Sequence, residues 1–298
     1  MKAISFNGGK ESLVILHKYL KDTNIIFRIE DKDDFPEIID YLNYASTYFN
    51  INIIVFDNIK SAIKILKEKY NVDTVILGCR KTDPNCEKIS EFCPTDEGWP
   101  YIMRHHPLLN WTYSDVWNYI DDNKLPVCSL YERGYTSIGN KNNTFPNYSL
   151  FSDSLNIYKH ARELRDFSLE RSGRIKNKLP IKISGKVIKG KGVGKKIGIP
   201  TANIDVNLDI DEGVYCGYCS FDDEPKEYSM VMSVGVNPQF GDKTVEVHIL
   251  SFFNEDFYGK TLYIDICKFI RRMYKYPSLN ELITAIKKDI IITKHLLN

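Results

Sequence analysis

The run Ser5-Phe6-Asn7-Gly8-Gly9-Lys10-Glu11-Ser12 is the most informative part of this chain. It follows a segment long enough only for a short strand, Lys2 to Ser5, and precedes an apolar-periodic run at 13–20 that predicts a helix. Consecutive glycines favour a tight turn whose N–H groups face one anion, the helix N-terminus adds partial positive charge, and Lys10 would supply a mobile cation. The run is not a Walker A loop, because the first glycine of that motif would fall on Ile4. We therefore predict a phosphate-binding turn, with a plain glycine-rich turn as the alternative.

The composition is that of a globular protein without a strong charge preference. The chain has 298 residues, is 43% hydrophobic, and carries 40 basic against 39 acidic residues for a net charge of +1. That length suits about two domains. The balanced charge favours neither a nucleic-acid nor a membrane partner, and no apolar run approaches the ~18 residues of a membrane helix. We expect a cytoplasmic protein with neither a nucleic-acid nor a membrane partner.

Seven cysteines, an odd number, are scattered through the chain, so a disulfide framework is not expected. The pair Cys216-x-x-Cys219 lies in a strand-like run, where residues three apart face opposite sides. We therefore do not predict structural zinc.

Apolar strand-like runs alternate with helical patterns in the first part of the chain. The predicted strands are 24–29, 51–56 and 74–78, and the predicted helices are 35–49 and 61–70. Such alternation is typical of a parallel sheet with crossover helices, whose ligands lie at the carboxyl ends of the strands. Gly8-Gly9 and the stretch 78–84 both fall at such ends, so we expect them to face one pocket.

The sequence changes near residue 178 from helical patterns to short β-type runs. The pattern from Asp153 to Lys178, with its charged run 158–171, predicts a helix, whereas short β-type runs separated by Gly, Pro and Asn follow at 181–188, 214–221, 229–235, 244–253 and 261–269. A last amphipathic helix is predicted from Ser278, an N-cap with Glu281 at the capping-box position, to about Leu297. The predicted domains are therefore 1–178, of α/β type, and 179–298, mainly β.

Several polar motifs in the first domain resemble one known family. They are Arg80-Lys81-Thr82-Asp83-Pro84, Asp96-Glu97-Gly98-Trp99-Pro100, the loop 129–139 and Glu170-Arg171-Ser172-Gly173-Arg174. Together with the opening run, they make residues 1 to about 175 similar to the eukaryotic-type FMN adenylyltransferases (FAD synthases) of the phosphoadenylylsulfate-reductase-like family. The resemblance implies a parallel-sheet domain of the adenine-nucleotide-hydrolase-like type.

The resemblance also implies roles for individual residues. The glycine loop would hold the ATP phosphates, with Asn7 and the two late arginines as catalytic groups, and the other motifs would shape the flavin and adenine sites. These roles fall on Asn7, Gly8, Gly9, Lys10, Glu11 and Ser12 for ATP, on Arg80, Asp83, Asp96 and Trp99 for the flavin, and on Arg171 and Arg174 for the phosphates. Glu11 stands where the family usually has Asp, which moves a carboxylate outward by one methylene.

A second signature follows at Gly190-Lys191-Gly192-Val193-Gly194-Lys195-Lys196-Ile197-Gly198-Ile199-Pro200-Thr201-Ala202-Asn203. It combines a flexible cationic glycine loop with Thr and Asn oxygens that suit Mg²⁺, parts that phosphoryl transfer needs. Together with the segments 245–249, 256–259 and 269–271, it makes residues 180–295 similar to riboflavin kinase. This resemblance implies a small six-stranded β-barrel with a C-terminal helix.

By this second resemblance, Glu246 would be the base that accepts a proton from the ribityl hydroxyl. Thr201 and Asn203 would be the Mg²⁺ ligands. The implied ATP contacts are Gly190, Gly192, Lys195 and Tyr258, and the implied flavin contacts are Arg271 and Tyr276.

The two resemblances together imply a bifunctional enzyme that phosphorylates riboflavin to FMN and joins FMN to AMP from ATP, releasing pyrophosphate. Riboflavin, FMN and ATP would be substrates, FMN and FAD product ligands, and Mg²⁺ the cofactor, with the oligomeric state left open. Two alternatives remain at this level. One is a flavin-binding regulatory protein with one impaired domain, and the other is a different nucleotide-activating enzyme of the same superfamily.

Overall fold

The structure is a computed structural model that describes residues 1–23, 25–190, 192–222, 226–236, 243–253 and 255–297. Lys191, in the predicted second glycine loop, and Asn24, at the start of a predicted strand, lie outside this part of the chain. The chain divides into two compact units, Met1–Glu132 and Arg133–Asn298.

The first unit is built on a six-stranded sheet. Its strands are β1 (Lys2–Ser5), β2 (Ile25–Ile29), β3 (Ile53–Phe56), β4 (Thr74–Ile76), β5 (Phe92–Pro94) and β6 (Met103–His105). Their order is β3-β2-β1-β4-β6-β5, and every neighbouring pair is parallel except β5 with β6. The predicted parallel sheet is confirmed.

Three helices connect the parallel strands β1 to β4, namely α1 (Lys10–Tyr19), α2 (Pro36–Tyr48) and α3 (Ile59–Glu68), and α4 (Tyr113–Asp122) follows β6. The chain runs outward from β1 through β2 to β3 and then crosses back to β4 on the other side of β1. Such a reversal leaves a crevice at the carboxyl ends of the two central strands, where α/β sheets bind ligands. The opening glycine run follows β1 and the stretch 78–84 follows β4, so both lie at this crevice.

The second unit begins with a two-stranded ribbon, β7 (Phe151–Ser152) and β8 (Ile157–Tyr158). The helix predicted at 158–171 is wrong, because this region forms only the single turns Ala161–Glu163 and Phe167–Leu169. His160 and Asp166 each accept a hydrogen bond from the backbone N–H two residues on. Such local side-chain bonds compete with helical pairing and break the segment into short turns.

A closed barrel forms the main part of the second unit. Its strands are β9 (Ile181–Ile188), β10 (Ala202–Asp205), β11 (Gly213–Phe221), β12 (Tyr228–Val236), β13 (Lys243–Ile249) and β14 (Thr261–Arg271), with the short helix α5 (Val193–Lys196) between β9 and β10. The order around the barrel is β10-β13-β12-β11-β14-β9. The helix α6 (Leu279–Leu297) follows, and the Glu281 N–H donates to Ser278 Oγ at 3.2 Å, as the capping motif predicted.

The barrel core also includes residues that precede the barrel in sequence. Phe145, Ile175 and Leu179 are buried in the same cluster as Tyr215 and Met232. Residues 133–178 therefore pack with the barrel, whereas the sequence texture changes only near residue 178. That later position stays a prediction for the boundary between the two family-like domains.

No helix within the described ranges is both long and apolar enough to cross a bilayer.

Candidate active sites

The turn after β1 is held by one glycine in an unusual conformation. Gly8 has φ +81°, a backbone region that disfavours side chains, whereas Gly9 has φ −77°. A Cβ on Gly9 would come 3.1 Å from Asn7 Oδ1, which already accepts the Gly9 N–H at 3.0 Å. Only the first of the two glycines is therefore required by backbone geometry.

Lys10 starts α1 and is buried. Its backbone N–H donates to the hydroxyl of Tyr131 at 2.7 Å, and its side chain is only 2% exposed. The Nζ atom lies 5.0 Å from the centre of the Tyr113 ring. In this structure aromatic rings and its acidic neighbour surround the side chain, and its role as a mobile cation stays a prediction.

Glu11 connects two buried cations. Its Oε1 lies 2.9 Å from Lys10 Nζ and 3.1 Å from Arg80 Nη2, and Arg80 is 1% exposed. The contact joins the turn after β1 to the stretch after β4, as expected from their shared crevice. Glu11 therefore acts as the counter-ion of the turn in this structure.

The two family-like motifs after β4 form separate parts of the first unit. Asp83 closes a turn by accepting the Arg80 N–H at 2.9 Å, which places it at the crevice. Asp96 pairs with Arg104 at 2.9 Å and is largely exposed. Trp99 packs against the apolar cluster around α3. The structure thus joins Arg80 and Asp83 to the glycine turn, while Asp96 and Trp99 make their contacts elsewhere in the unit.

The predicted phosphate-binding arginines belong to the second unit, where they converge on one loop. Arg171 Nη1 donates to Ser137 Oγ at 3.2 Å. The Arg174 guanidinium lies over Gly139, where a Cβ would come within 2.2 Å of its Nη2. Both arginines therefore face the loop 129–139 that the sequence singled out.

A cavity of about 700 Å³ lies against the barrel. Val245, Val247 and Ile249 of β13 are buried in the barrel core, so the alternate residues Glu246 and His248 occupy the opposite face and line the cavity. Further walls come from Gly190, Gly192 and Ile199 after β9, from Met273 and Tyr276 after β14, and from α6. The alternation of β13 thus explains why a glutamate between buried valines faces a cavity.

Three oxygen-bearing side chains meet at this cavity. Thr201 Oγ1 donates to Glu246 Oε2 at 3.2 Å, and Asn203 of β10 is paired in register with Glu246 of β13. The Asn203 amide lies against Gly190, where a Cβ would come within 2.0 Å of it. Hydroxyl and amide oxygens are ligands that Mg²⁺ accepts, so Thr201 and Asn203 fit the predicted metal, and the predicted base Glu246 lies beside them.

The predicted ATP contacts of the barrel divide into two groups. Gly190 and Gly192 line the cavity. Lys195 is exposed and lies 3.6 Å from Asp256, and Tyr258 is 54% exposed; neither residue contributes to the cavity wall. The cavity as seen here therefore includes the glycines but not the lysine or the tyrosine.

Arg271 and Tyr276 both line the cavity, but the arginine is already engaged. Its guanidinium forms two hydrogen bonds with Asp289 of α6, at 2.9 and 2.7 Å, and both side chains are buried. Burial raises the pKa of Asp289 against the opposite pull of the guanidinium. The rings of Tyr148 and Tyr276 each lie 5.6 Å from the guanidinium carbon. Arg271 is thus a fixed part of the cavity wall.

Sequence reasoning missed Tyr131 and Asp289. Tyr131 lies in the loop 129–139 that the sequence singled out, and its burial and the nearby Glu11 carboxylate raise the pKa of its phenol well above the ordinary value. Asp289 falls four residues after Ala285 and three before Ile292 on the buried face of α6. A charge on an apolar helix face needs a buried partner, a signal that the sequence did contain.

Comparisons with known proteins agree with this two-part architecture. The family model described as riboflavin kinase matches residues 177–297, and that described as a phosphoadenosine phosphosulfate reductase domain matches residues 57–146. A probable FAD synthase of Schizosaccharomyces pombe is 38% identical over 188 residues, which are 58% of this chain and 71% of that protein. The human riboflavin kinase is 39% identical over 121 residues, 38% of this chain and 77% of its own length.

The Candida glabrata FMN adenylyltransferase in complex with ATP is a solved structure of similar fold. It is 25% identical, has a TM-score of 0.54, and the match covers 59% of this chain and 79% of that one. A probable FAD synthase of Caenorhabditis elegans is much longer, and the match spans only 36% of its length.

Both units thus contain elements that suit transfer of a group from a nucleotide, which defines the class as a two-site nucleotide-dependent transferase. More particularly, the chain belongs to the FAD synthase family and, through its C-terminal part, to the riboflavin kinase family. The protein is therefore an enzyme of flavin cofactor synthesis.

Proposed function

We propose that the barrel phosphorylates riboflavin to FMN and that the other site adenylylates FMN to FAD, each with its own ATP. The observation that carries the first step is the meeting of Glu246, Thr201 and Asn203 at one cavity. Glu246 accepts the proton of the ribityl hydroxyl as its oxygen bonds to the γ-phosphorus and the bond to ADP breaks. The Thr201 hydroxyl orients the carboxylate by donating to it.

Mg²⁺ fits the oxygens of Thr201 and Asn203, and when bound it would offset charge on the transferring phosphate. Glycines 190 and 192 leave room beside these residues for the ATP phosphates. We assign the flavin ring to the part of the cavity wall formed by Arg271 and Tyr276, because a planar guanidinium lies there beside an aromatic ring.

In the second step, a phosphate oxygen of FMN bonds to the α-phosphorus of ATP and the bond to pyrophosphate breaks. FMN is already an anion at neutral pH, so this step depends on charge balance and positioning more than on a base. Lys10 and Arg80 at the glycine turn, with Arg171 and Arg174, are the cations that we assign to it. The protein would act in the cytoplasm, where riboflavin and ATP meet.

Glu246→Gln tests the assignment of the kinase site. The variant should lower riboflavin phosphorylation by roughly 10² to 10⁴ and leave FAD formation from supplied FMN unchanged, because only the first step needs the base. Riboflavin, FMN and FAD are separated by chromatography after incubation with ATP and Mg²⁺. The matched control is Glu255→Gln, an exposed glutamate. Wild-type FMN production by Glu246→Gln would refute the assignment.

The ion pairs of Glu11 favour a second candidate, a flavin-binding protein whose adenylylating site is impaired. In the structure the Glu11 carboxylate forms ion pairs with both Lys10 and Arg80, the cations that would otherwise face phosphate. The same incubation separates the candidates, since an impaired site would convert riboflavin to FMN and stop there.

A further inference from the structure

The two arginines that we assign to adenylyl transfer are carried by residues 133–178, which we call the arginine segment. Within it, the stretches around Phe145 and Arg174 pair like strands. The Phe145 N–H donates to the Gly173 carbonyl at 2.9 Å, and the Ile175 N–H donates to the Asn143 carbonyl at 3.1 Å. A Cβ on Gly173 would come 2.1 Å from the Phe145 carbonyl oxygen, so this close pairing requires glycine between the arginines.

The arginine segment packs directly on the barrel. Phe145 lies 6.2 Å from Phe269 of β14, measured between ring centres, and Ile175 and Leu179 are buried in the barrel core. The segment that resembles one family is therefore supported by the apolar core of the other.

One barrel residue contacts the backbone of Arg174 itself. Arg272, just after β14, donates from Nη2 to the Arg174 carbonyl at 2.6 Å, and its Nη1 lies 3.4 Å from Asp211 Oδ1. Asp211 Oδ2 in turn accepts the Lys176 N–H at 2.6 Å. The Arg272 guanidinium also lies 5.5 Å from the centre of the Phe269 ring.

These contacts fix the main chain on both sides of the Ile175 residue. Asn177 adds two more, donating to the Asp209 carbonyl at 3.1 Å and accepting the Asp211 N–H at 3.2 Å. Since a side chain leaves its Cα in a direction set by the backbone, a fixed Arg174 carbonyl limits where the Arg174 guanidinium can reach. Arg272 does not line the cavity that includes Glu246, although its neighbours Arg271 and Met273 do.

We propose that Arg272, together with Asp211, is a positioning residue for adenylyl transfer that acts through Arg174. The barrel would thus serve the second reaction as well as the first. The inference rests on the proposed role of Arg174 in that reaction.

The test measures both reactions in the full chain with Arg272→Ala and Asp211→Asn. FAD formation from supplied FMN should show a kcat/KM about 10- to 100-fold lower, because a misplacement of about 1 Å costs up to roughly 10²-fold. Riboflavin phosphorylation should be unchanged, which also shows that the barrel is folded. Arg272→Lys should restore activity only in part, since an ammonium lacks the fork that reaches a carbonyl and a carboxylate together.

Lys182→Ala is the matched control. It removes another cation of the barrel surface, one that lies 2.9 Å from Asp265 between β9 and β14. Both reactions should keep their wild-type rates. If Arg272→Ala behaves like this control, the inference is overturned while the role of Arg174 can still stand.

A double-mutant cycle with Arg174→Ala separates the two assumptions. If Arg272 acts through Arg174, adding Arg272→Ala to Arg174→Ala should cause no further loss. An equal loss in both backgrounds would show that Arg272 acts elsewhere and would overturn the inference. Wild-type FAD formation by Arg174→Ala would refute the role proposed for Arg174, and the inference with it.

Hydrogen exchange provides a readout that does not depend on activity. Amides 174–177 should exchange faster in Arg272→Ala, because the Lys176 N–H loses a carboxylate held in place by that arginine. The same amides should be unaffected by Lys182→Ala. Unchanged protection in Arg272→Ala would contradict the bracing that the inference requires.

Discussion

Individual residues of the glycine turn have roles that depend on their partners. Glu11 differs from the family by one methylene, and a carboxylate there suggests a metal ligand. In the structure, however, its Oε1 lies within ion-pair distance of Lys10 and Arg80, both almost fully buried. A buried cation needs a compensating charge. The first role of Glu11 is therefore that of a counter-ion.

Replacing Glu11 tests this role. Glu11→Ala should lower the free energy of unfolding by about 3 kcal/mol, because removing one partner leaves buried charge uncompensated. Glu11→Asp keeps the charge and should lose less. The midpoint of thermal unfolding measures the effect, and the Mg²⁺ concentration that gives half the maximal rate of FAD formation should stay the same in Glu11→Asp. A large shift in that concentration with unchanged stability would instead indicate a metal ligand.

Among the elements, α6 does more than pack against β11, β12 and β14. Its apolar face includes Asp289, which is 1% exposed and forms two hydrogen bonds with Arg271 at the end of β14. Leu282 and Ile286 of the same helix line the cavity that also includes Glu246. The pair thus fixes the helix at the point where it contributes to the proposed flavin site.

Asp289→Ala should therefore affect both stability and riboflavin binding. We expect a loss of about 3 kcal/mol or more in the free energy of unfolding, because Arg271 remains buried without its carboxylate. The KM for riboflavin should rise, while FAD formation from FMN should be affected less. Lys287→Ala, at the exposed neighbouring turn of α6, is the control. An unchanged KM in a folded Asp289→Ala protein would contradict the assignment of this wall to the flavin.

At the scale of the whole molecule, the unit of packing and the unit of family resemblance differ. Residues 133–146 match the phosphoadenosine phosphosulfate reductase model but belong to the unit that contains the barrel. The two proposed reactions nevertheless use separate catalytic groups, Glu246 in one and the arginine pair in the other.

This separation predicts that two defective variants complement each other. Glu246→Gln alone should leave riboflavin almost unconverted, and the double variant Arg171→Ala/Arg174→Ala should accumulate FMN. A mixture should form FAD, because FMN released by one molecule can reach the intact site of the other. The measurement is the chromatographic yield of FAD from riboflavin. Failure of the mixture, when each variant retains its other activity, would show that released FMN is not used.

The amino-acid sequence by itself determined the features that depend on neighbouring residues. Hydrophobic periodicity predicted the alternating strands and helices of the first unit, and the Ser278 cap predicted the start of α6. Both signals lie within the element that they mark or directly beside it. The helix predicted from the charged run at 158–171 is wrong, because local hydrogen bonds from side chains to the backbone outweighed helix propensity there.

Only the tertiary structure decided which distant residues meet. The Lys10 N–H bonds to Tyr131, 121 positions away, and Arg272 bonds to Arg174, 98 positions away. Neither partner is marked by a local pattern, because such contacts follow from how the strands and loops within each unit pack rather than from spacing along the chain. The same reason explains why residues 133–146 match one family model in sequence but lie in the unit that contains the barrel.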